Sequence, residues 1–317
     1  MEKIYDTLST RNAFGHAVLT CMQNDPNMIA IAPDTGKSMG FDEAAAAFPA
    51  RVFNVGIAEQ NMVNMAAGIA ATGDKAIIGT YAPFLTLRAL EQVRTFICYP
   101  NLPVVMGGAM AGLSGGIEGP THQSVEDIAI MRSLPNMQVV VPADAHSTYE
   151  LTCQAEKTNL PVYVRLGRYL MPKVYNENES FVFGKAKRLR QGSDVSILCC
   201  GTMVFRSLQA AEELESVGIH VSVVDIHTIK PLDAETVLSA ALTTGAIVTA
   251  EEHSVFGGLG AAVAEFLSEV FPVPIIRVGI EDTFAESADQ ETLMDAYGLS
   301  VQRIVQAALK AMALKRR

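Results

Sequence analysis

Short apolar runs alternate with helical segments through almost the whole chain, and this alternation limits the folds available to it. "MIAIAP" precedes an alanine-rich stretch, and "KAIIGTY" precedes "FLTLRALEQVRTFICY". "LPVVMGG" and "MQVVVPAD" follow, then "AHSTYELTCQAEKT" and "PVYVRL". Apolar strands separated by helices of that length require a parallel sheet covered on both faces. The pattern breaks after Arg168. "YLMPKVYNENESFVFGKAKRLRQGSD" is polar and carries a proline, which reads as a linker followed by an opening hairpin. A second alternating block follows: "VSILCCG", "MVFRSLQAAEELESVG", "HVSVVDIHTI" as one strand, "DAETVLSAALTTG", "AIVTAEE", "AAVAEFLSEVF" and "PIIRVGI". The expected fold class is α/β, with two doubly wound, mostly parallel domains at residues 1–175 and 185–317 and a linker at 176–184.

Composition agrees and excludes several classes. A chain of 317 residues, 49% of them apolar, exceeds one ordinary domain and has material for two cores. The formal charge of −10 argues against a nucleic-acid or anionic-membrane surface. The longest apolar runs fall short of a membrane span. "MEKIYDTLSTRNAFG" is polar and partly acidic, unlike a secretory signal. The five cysteines form no CxxC pair, which fits a reduced, cytoplasmic chain with buried thiols. No His or Cys cluster has metal-ligand spacing.

One carboxylate stands out. In "FNVGIAEQNMVNMAAGIAATG" a helix that is apolar or small almost all round carries Glu59 in its first turn, near Val55, Ile57, Met62 and Met65. A carboxylate loses hydration in such surroundings. Position alone favours a cap, where the helix dipole stabilises negative charge. The other reading is an acid whose proton serves a ligand. Elsewhere, the glycine-rich "GGAMAGLSGGIEGPTHQSVEDIAIMRSLPN" leads to Glu118, Thr121 and His122, then to an ordinary capping pattern, "SVED". Tyr81, Phe84 and Leu87 recur three apart, the spacing of core aromatics or of a ring-binding wall. Arg88 and Arg94 read as exposed partners of Glu91. Arg165 and Arg168 follow a strand, where open parallel sheets meet ligands and where surface ion pairs are also common. "VFGGLGAAVAE" is a tight strand–helix turn rather than a phosphate loop, and "AEEHS" is a weak acid–base candidate.

Together "GIAEQNM", "GTYAPF", "EGPTHQSVEDIAIMRSLPNMQVVVPAD" and "VRLGRYLMP" resemble the transketolase family in order and spacing, over its pyrimidine-binding and C-terminal domains. The resemblance implies thiamine diphosphate as cofactor and transfer of a two-carbon ketol unit between sugars. It makes Glu59 the acid that hydrogen-bonds the cofactor's aminopyrimidine and controls its proton. Tyr81, Phe84 and Leu87 match positions lining that ring, and Asp34 falls on the cofactor side. Arg11, Ser38 and Arg168 match sugar-phosphate contacts, and His122 a residue that handles substrate oxygens.

The sequence also departs from the family pattern. Met110 stands where many members have a phosphate-contacting His, and Glu118 where they have Asp. Both changes fall in the substrate pocket, which points to a modified sugar: branched, deoxy or sulfonated. The family's Gly-Asp-Gly motif, which holds the diphosphate and Mg²⁺, does not occur in these residues. The resemblance therefore implies an N-terminal partner chain with that motif, in an α2β2 assembly. Rival readings are a 2-oxoacid dehydrogenase β chain, deoxyxylulose-phosphate synthase, a non-catalytic partner of a thiamine enzyme, and a nucleotide-binding α/β protein.

Overall fold

The computed structural model describes residues 8–315; residues 1–7, the start of the polar N-terminal stretch, and residues 316–317 lie outside it. The first half builds β1 (Met28–Ala32), β2 (Val52–Asn54), β3 (Lys75–Tyr81), β4 (Val104–Ala109), β5 (Gln138–Val140) and β6 (Val162–Arg165). Its helices are α1 (Thr10–Asn24), α2 (Asp42–Ala47), α3 (Glu59–Ala71), α4 (Leu90–Gln92), α5 (Asp127–Ser133) and α6 (Ala145–Ala155). Two π-helical turns, Phe84–Arg88 and Val93–Cys98, flank α4, so "FLTLRALEQVRTFICY" is a helix with widened turns. α1 and α6 pack on one face of the sheet, and α3, the 84–98 segment and α5 cover the other. The strands are therefore buried on both faces, as their uninterrupted apolar runs require.

The second half contributes β7 (Lys187–Arg190), β8 (Val195–Cys199), β9 (Val221–Asp225), β10 (Thr228–Lys230), β11 (Ile247–Ser254) and β12 (Ile275–Ile280). Its helices are α7 (Met203–Glu215), α8 (Ala234–Thr244), α9 (Leu259–Val270), α10 (Gln290–Ala296) and α11 (Val301–Ala313). The sheet orders are β10-β5-β6-β4-β3-β1-β2 and β12-β11-β8-β9-β7. Each is parallel except for one antiparallel edge strand, β10 in the first and β7 in the second.

Two sequence expectations are corrected here. "HVSVVDIHTI" is not one strand: β9 stays in the second sheet, while β10 crosses over to pair with β5 of the first. β7 forms no hairpin with its neighbours; it pairs with the distant β9. Both strands satisfy exposed sheet edges, a demand set by tertiary assembly and not by local pattern. The two halves are also tied by side chains: Tyr175 Oη donates to Asp225 Oδ2 at 2.6 Å, and Lys230 Nζ donates to the Arg132 and Leu134 carbonyls. Among the described residues no helix is long and apolar enough to cross a membrane.

Candidate functional site

In the first sheet the strand order reverses between β1 and β3. Such a reversal opens a crevice beyond the carboxyl ends of the strands. Asp34 and Ser38 follow β1, Glu59 follows β2, Tyr81 ends β3 and Phe84 comes just after it. Met110, Glu118 and His122 follow β4, and Arg168 follows β6. Residues scattered over more than a hundred positions are thus brought to one edge of the sheet.

Glu59 is the first residue of α3, and its side chain is 2% exposed. It is not the helix cap. Ala58 occupies that position, and no side-chain cap hydrogen bond forms. Arg88 Nη1 donates instead to Glu59 Oε2 at 2.9 Å. The Arg88 guanidinium lies 4.2 Å from the centre of the Phe84 ring. Arg88 is therefore no partner of Glu91, whose carboxylate accepts from Gln92. Glu59 Oε1 makes no hydrogen bond among the described residues. The local surroundings are also less apolar than the sequence suggests, because Ile57 is 78% exposed while Met62 is buried.

Tyr81, Phe84 and His122 form an aromatic corner, with Phe84 and His122 ring centres 5.2 Å apart and Tyr81 about 6 Å from each. Tyr81 Oη donates to Ser38 Oγ at 3.1 Å, and Thr121 Oγ1 lies 3.0 Å from His122 Nδ1. Leu87, three residues after Phe84 in the same turn, is exposed. Asn54 shapes the opposite side: its Oδ1 accepts from the Asp34 and Gly56 amides, and its Nδ2 donates to Asp34 Oδ1. Asp34 itself sits in the left-handed region at φ 65°.

The cationic end is built by α1. Thr10 Oγ1 accepts from the Gly167 amide at 2.7 Å, which pins the start of α1 to the loop after β6. Arg11 is thereby placed near Arg168, and burial with that neighbouring charge lowers its pKa. Arg11 Nε is buried and makes no hydrogen bond among the described residues. Arg168 Nη1 donates to Glu118 Oε2 at 2.5 Å. Met110 is buried, in the left-handed region at φ 55°. The glycines hold this loop against the second domain. A Cβ on Gly119, at φ 76°, would meet Ser287 Oγ at 2.5 Å, and one on Gly112, at φ 60°, would meet the Glu252 carboxyl carbon at 2.6 Å.

Several candidates prove structural. Arg165 is buried and grips Asp127 through two hydrogen bonds, Nε to Oδ2 at 2.8 Å and Nη2 to Oδ1 at 3.1 Å. Tyr163 Oη also donates to Asp127, at 2.7 Å. Asp127 opens α5, and "SVED" supplies no side-chain cap. In "AEEHS", Glu251 accepts from the Leu259 and Gly260 amides and so closes the β11–α9 turn. Glu252 accepts from the Leu113 amide, Thr202 and Gln290, and its burial raises its pKa. The partner of Glu59 that sequence reasoning misses is Arg88. Its spacing four residues after Phe84 on a helix is the available signal.

Two family models match the chain. Residues 6–173 match the family model for the transketolase pyrimidine binding domain, and residues 184–304 match that for the transketolase C-terminal domain. The chain is 40% identical over 298 residues to the 6-deoxy-6-sulfo-D-fructose transketolase subunit SqwH of Clostridium sp. strain MSTE9, covering 94% of this chain and 92% of that one. It is 38% identical to one subunit of the apulose-4-phosphate transketolase of Phocaeicola vulgatus, covering 96% and 97%. Among solved structures, a split-gene transketolase described as an inactive beta4 tetramer superposes with a TM-score of 0.92 at 44% identity, covering 98% and 100%. The transketolase of Campylobacter jejuni superposes at 0.83 with 20% identity; this chain spans 46% of that one, and the likeness shows the fold alone.

Proposed function

The chain belongs to the transketolase family, and from that premise we propose that it is the C-terminal subunit of a two-chain transferase. This enzyme would use thiamine diphosphate to move a two-carbon ketol unit from a ketose to an aldose. The observation that carries this reading is the convergence of Glu59, Tyr81, Phe84 and His122 on one edge of the first sheet.

These residues fit an aminopyrimidine. A flat heterocycle needs an apolar wall and one buried carboxylate, and the crevice offers both. Bound thiamine diphosphate supplies a carbon nucleophile and an electron sink for breaking the bond beside a ketose carbonyl. Glu59 would hold a proton against a ring nitrogen, with Oε1 as the oxygen that Arg88 does not engage. Tyr81, Phe84 and Leu87 would fix the ring plane and exclude water. His122, oriented by Thr121, would donate to or accept from the sugar's oxygens. Arg11 and Arg168 would hold an anionic group at the far end of the sugar. Asp34 and Ser38 would line the side formed by β1.

The diphosphate and Mg²⁺ would be held by an N-terminal partner subunit in an α2β2 assembly. Both relatives are named as subunits, and this chain matches them over nearly their full length, which supports this reading. The outer face of α3 supports it too, because Ala67, Gly68 and Ala71 adjoin Phe96 and Tyr99, which are 46% and 86% exposed. The proposed substrate is a modified sugar with an anionic terminus. Met110 and the Glu118–Arg168 pair reshape the pocket, and the two relatives are named for a sulfonated and a phosphorylated sugar. A cytoplasmic location is proposed with it, from the free cysteines.

The test is reconstitution. This chain would be mixed with a partner bearing Gly-Asp-Gly and assayed with xylulose 5-phosphate, branched and sulfonated ketoses. Ketol transfer is expected only from the mixture. Full activity from this chain alone would overturn the two-chain reading, and coenzyme binding that ignores Glu59 would overturn the assigned site.

A further inference from the structure

We propose that Glu252, in the second domain, is a positioning residue for the sugar side of the site: it fixes the loop that carries Glu118 and His122. The proposal rests on the transferase reading above. It gives the second domain a part in substrate binding without contact with the substrate.

Residues 112–124 form a loop closed at its base. The Gly112 amide donates to the Ser124 carbonyl at 2.7 Å, and the Ser124 amide donates to the Gly112 carbonyl at 3.0 Å. Glu118 and His122 lie inside this loop, and Met110 lies just before it. The His122 amide donates to the Gly119 carbonyl at 3.0 Å, so the chain turns back on itself at the far end.

The ties that hold the loop in place come from the second domain. Glu252 lies on β11 and is 4% exposed. Its Oε1 accepts from the Leu113 amide at 2.8 Å, one residue inside the closed base. Thr202 Oγ1 donates to Oε2 at 2.8 Å, and Gln290 Nε2 donates to Oε1 at 3.1 Å. The carboxylate is thus anchored in its own domain and presented to the loop. Arg165 Nη2 donates to both the Ser124 and the Glu252 carbonyls, which joins the base of the loop to β11. A second tie lies at the other end, where Gln123 Nε2 donates to the Glu286 carbonyl at 2.9 Å.

The chemistry depends on this placement. Glu118 reaches Arg168, and His122 completes the aromatic corner, only while the loop keeps its position. A displacement of about 1 Å at a reacting group can cost roughly a hundredfold in rate. Removing the carboxylate would leave the buried Leu113 amide without its acceptor. In Glu252→Gln the amide oxygen can still accept from Leu113 and Gln290, while the amide nitrogen donates to Thr202 Oγ1. Glu252→Ala breaks the tie. Gly112→Ala disturbs the same contact from the loop side, because its Cβ would meet the Glu252 carboxyl carbon at 2.6 Å.

The experiment has two arms. Hydrogen exchange on the full chain, alone and with the partner subunit, reads the loop directly. Glu252→Ala and Gly112→Ala are expected to speed exchange across residues 110–124 by about tenfold or more, with β1 and β3 unchanged. Glu252→Gln is expected to match the wild type. In the reconstituted enzyme, Glu252→Ala is expected to lower kcat/KM for the ketose roughly 10- to 100-fold. Affinity for thiamine diphosphate with Mg²⁺ is expected to stay the same, and Glu252→Gln to restore the rate. Should Glu252→Ala fail to fold, Gly112→Ala serves in both arms. Unchanged loop exchange in the broken-tie variants overturns the proposal. So does a loss shared equally by coenzyme binding, or a Glu252→Gln enzyme as impaired as Glu252→Ala. A wild-type complex that transfers no ketol unit overturns the transferase reading, while the exchange arm, which needs no turnover, still decides the tie.

Discussion

Arg88 Nη1 lies 2.9 Å from Glu59 Oε2, so the buried acid of the site has a counter-ion from the turn that carries the aromatic wall. Arg88 is 47% exposed and Glu59 2% exposed, so solvent screens only one end of the pair. Removing the guanidinium strands a buried carboxylate. Arg88→Gln is expected to cost about 1–3 kcal/mol in urea unfolding. The double variant with Glu59→Gln should recover part of that loss. An unchanged midpoint for Arg88→Gln would show that the pair carries no stability.

Glu59→Gln should leave the fold intact, because the amide keeps the shape and can still meet Arg88. In the reconstituted enzyme it is expected to slow ketol transfer by about a hundredfold or more, the scale of a positioned acid or base. Single-turnover rates would check this. A variant as fast as the wild type would favour a non-catalytic subunit.

Arg11 and Arg168 are predicted to act on substrate binding. Each charge-assisted hydrogen bond contributes about 1.5–3 kcal/mol, so Arg11→Gln or Arg168→Gln should raise KM for an anionic sugar roughly 10- to 100-fold. Neutral sugars should be little affected. Glu118→Gln should do the reverse, since its carboxylate now engages Arg168. Steady-state kinetics on charged and uncharged substrate pairs would separate the cases.

Asp127 and Arg165 are fully buried and paired, with Tyr163 completing the set. Asp127→Ala should destabilise the chain by about 3–5 kcal/mol, because an uncompensated charge remains inside. Thermal and denaturant unfolding measure this. Retained stability would mean that water or a neighbour replaces the carboxylate.

Stability should also depend on pH through Asp225. Burial pushes its carboxyl up to about 8, against the Tyr175 hydrogen bond that lowers it. A raised carboxyl pKa means the folded chain holds a proton that the unfolded chain releases. The associated stability is full below the unfolded pKa of 3.8 and is lost as pH rises through about 8. Asp225→Asn keeps a neutral group of the same shape. Its Tm advantage over wild type should widen between about pH 5 and about pH 8.5. A constant difference would place the proton elsewhere.

Much of the site is legible before the fold, but not its pairings. The family resemblance assigns Tyr81 and Phe84 to the ring wall and His122 to the substrate side, and the structure brings the three rings together. Sequence spacing pairs Arg88 with Glu91, because both lie on one helical stretch. The π-helical turn at Phe84–Arg88 widens the spacing and aims the guanidinium at Glu59. Position on a helix is visible in sequence and makes Glu59 look like a cap, whereas a partner 29 residues away is not visible. Arg165 looks like a ligand residue for the same reason: its strand end is legible, but Asp127 beneath it is not.

Local chemistry was enough to determine the alternation of strands and helices and the family motifs. Apolar periodicity and short-range turn residues act over a few positions and leave their mark in the string itself. Contacts between distant segments decided the rest. The crossing of β10 into the first sheet, the counter-ion of Glu59 and the clamp of Glu252 on the Leu113 loop all depend on which surfaces meet. Burial then makes each unpaired edge or charge costly, and only the assembled fold brings its partner within reach.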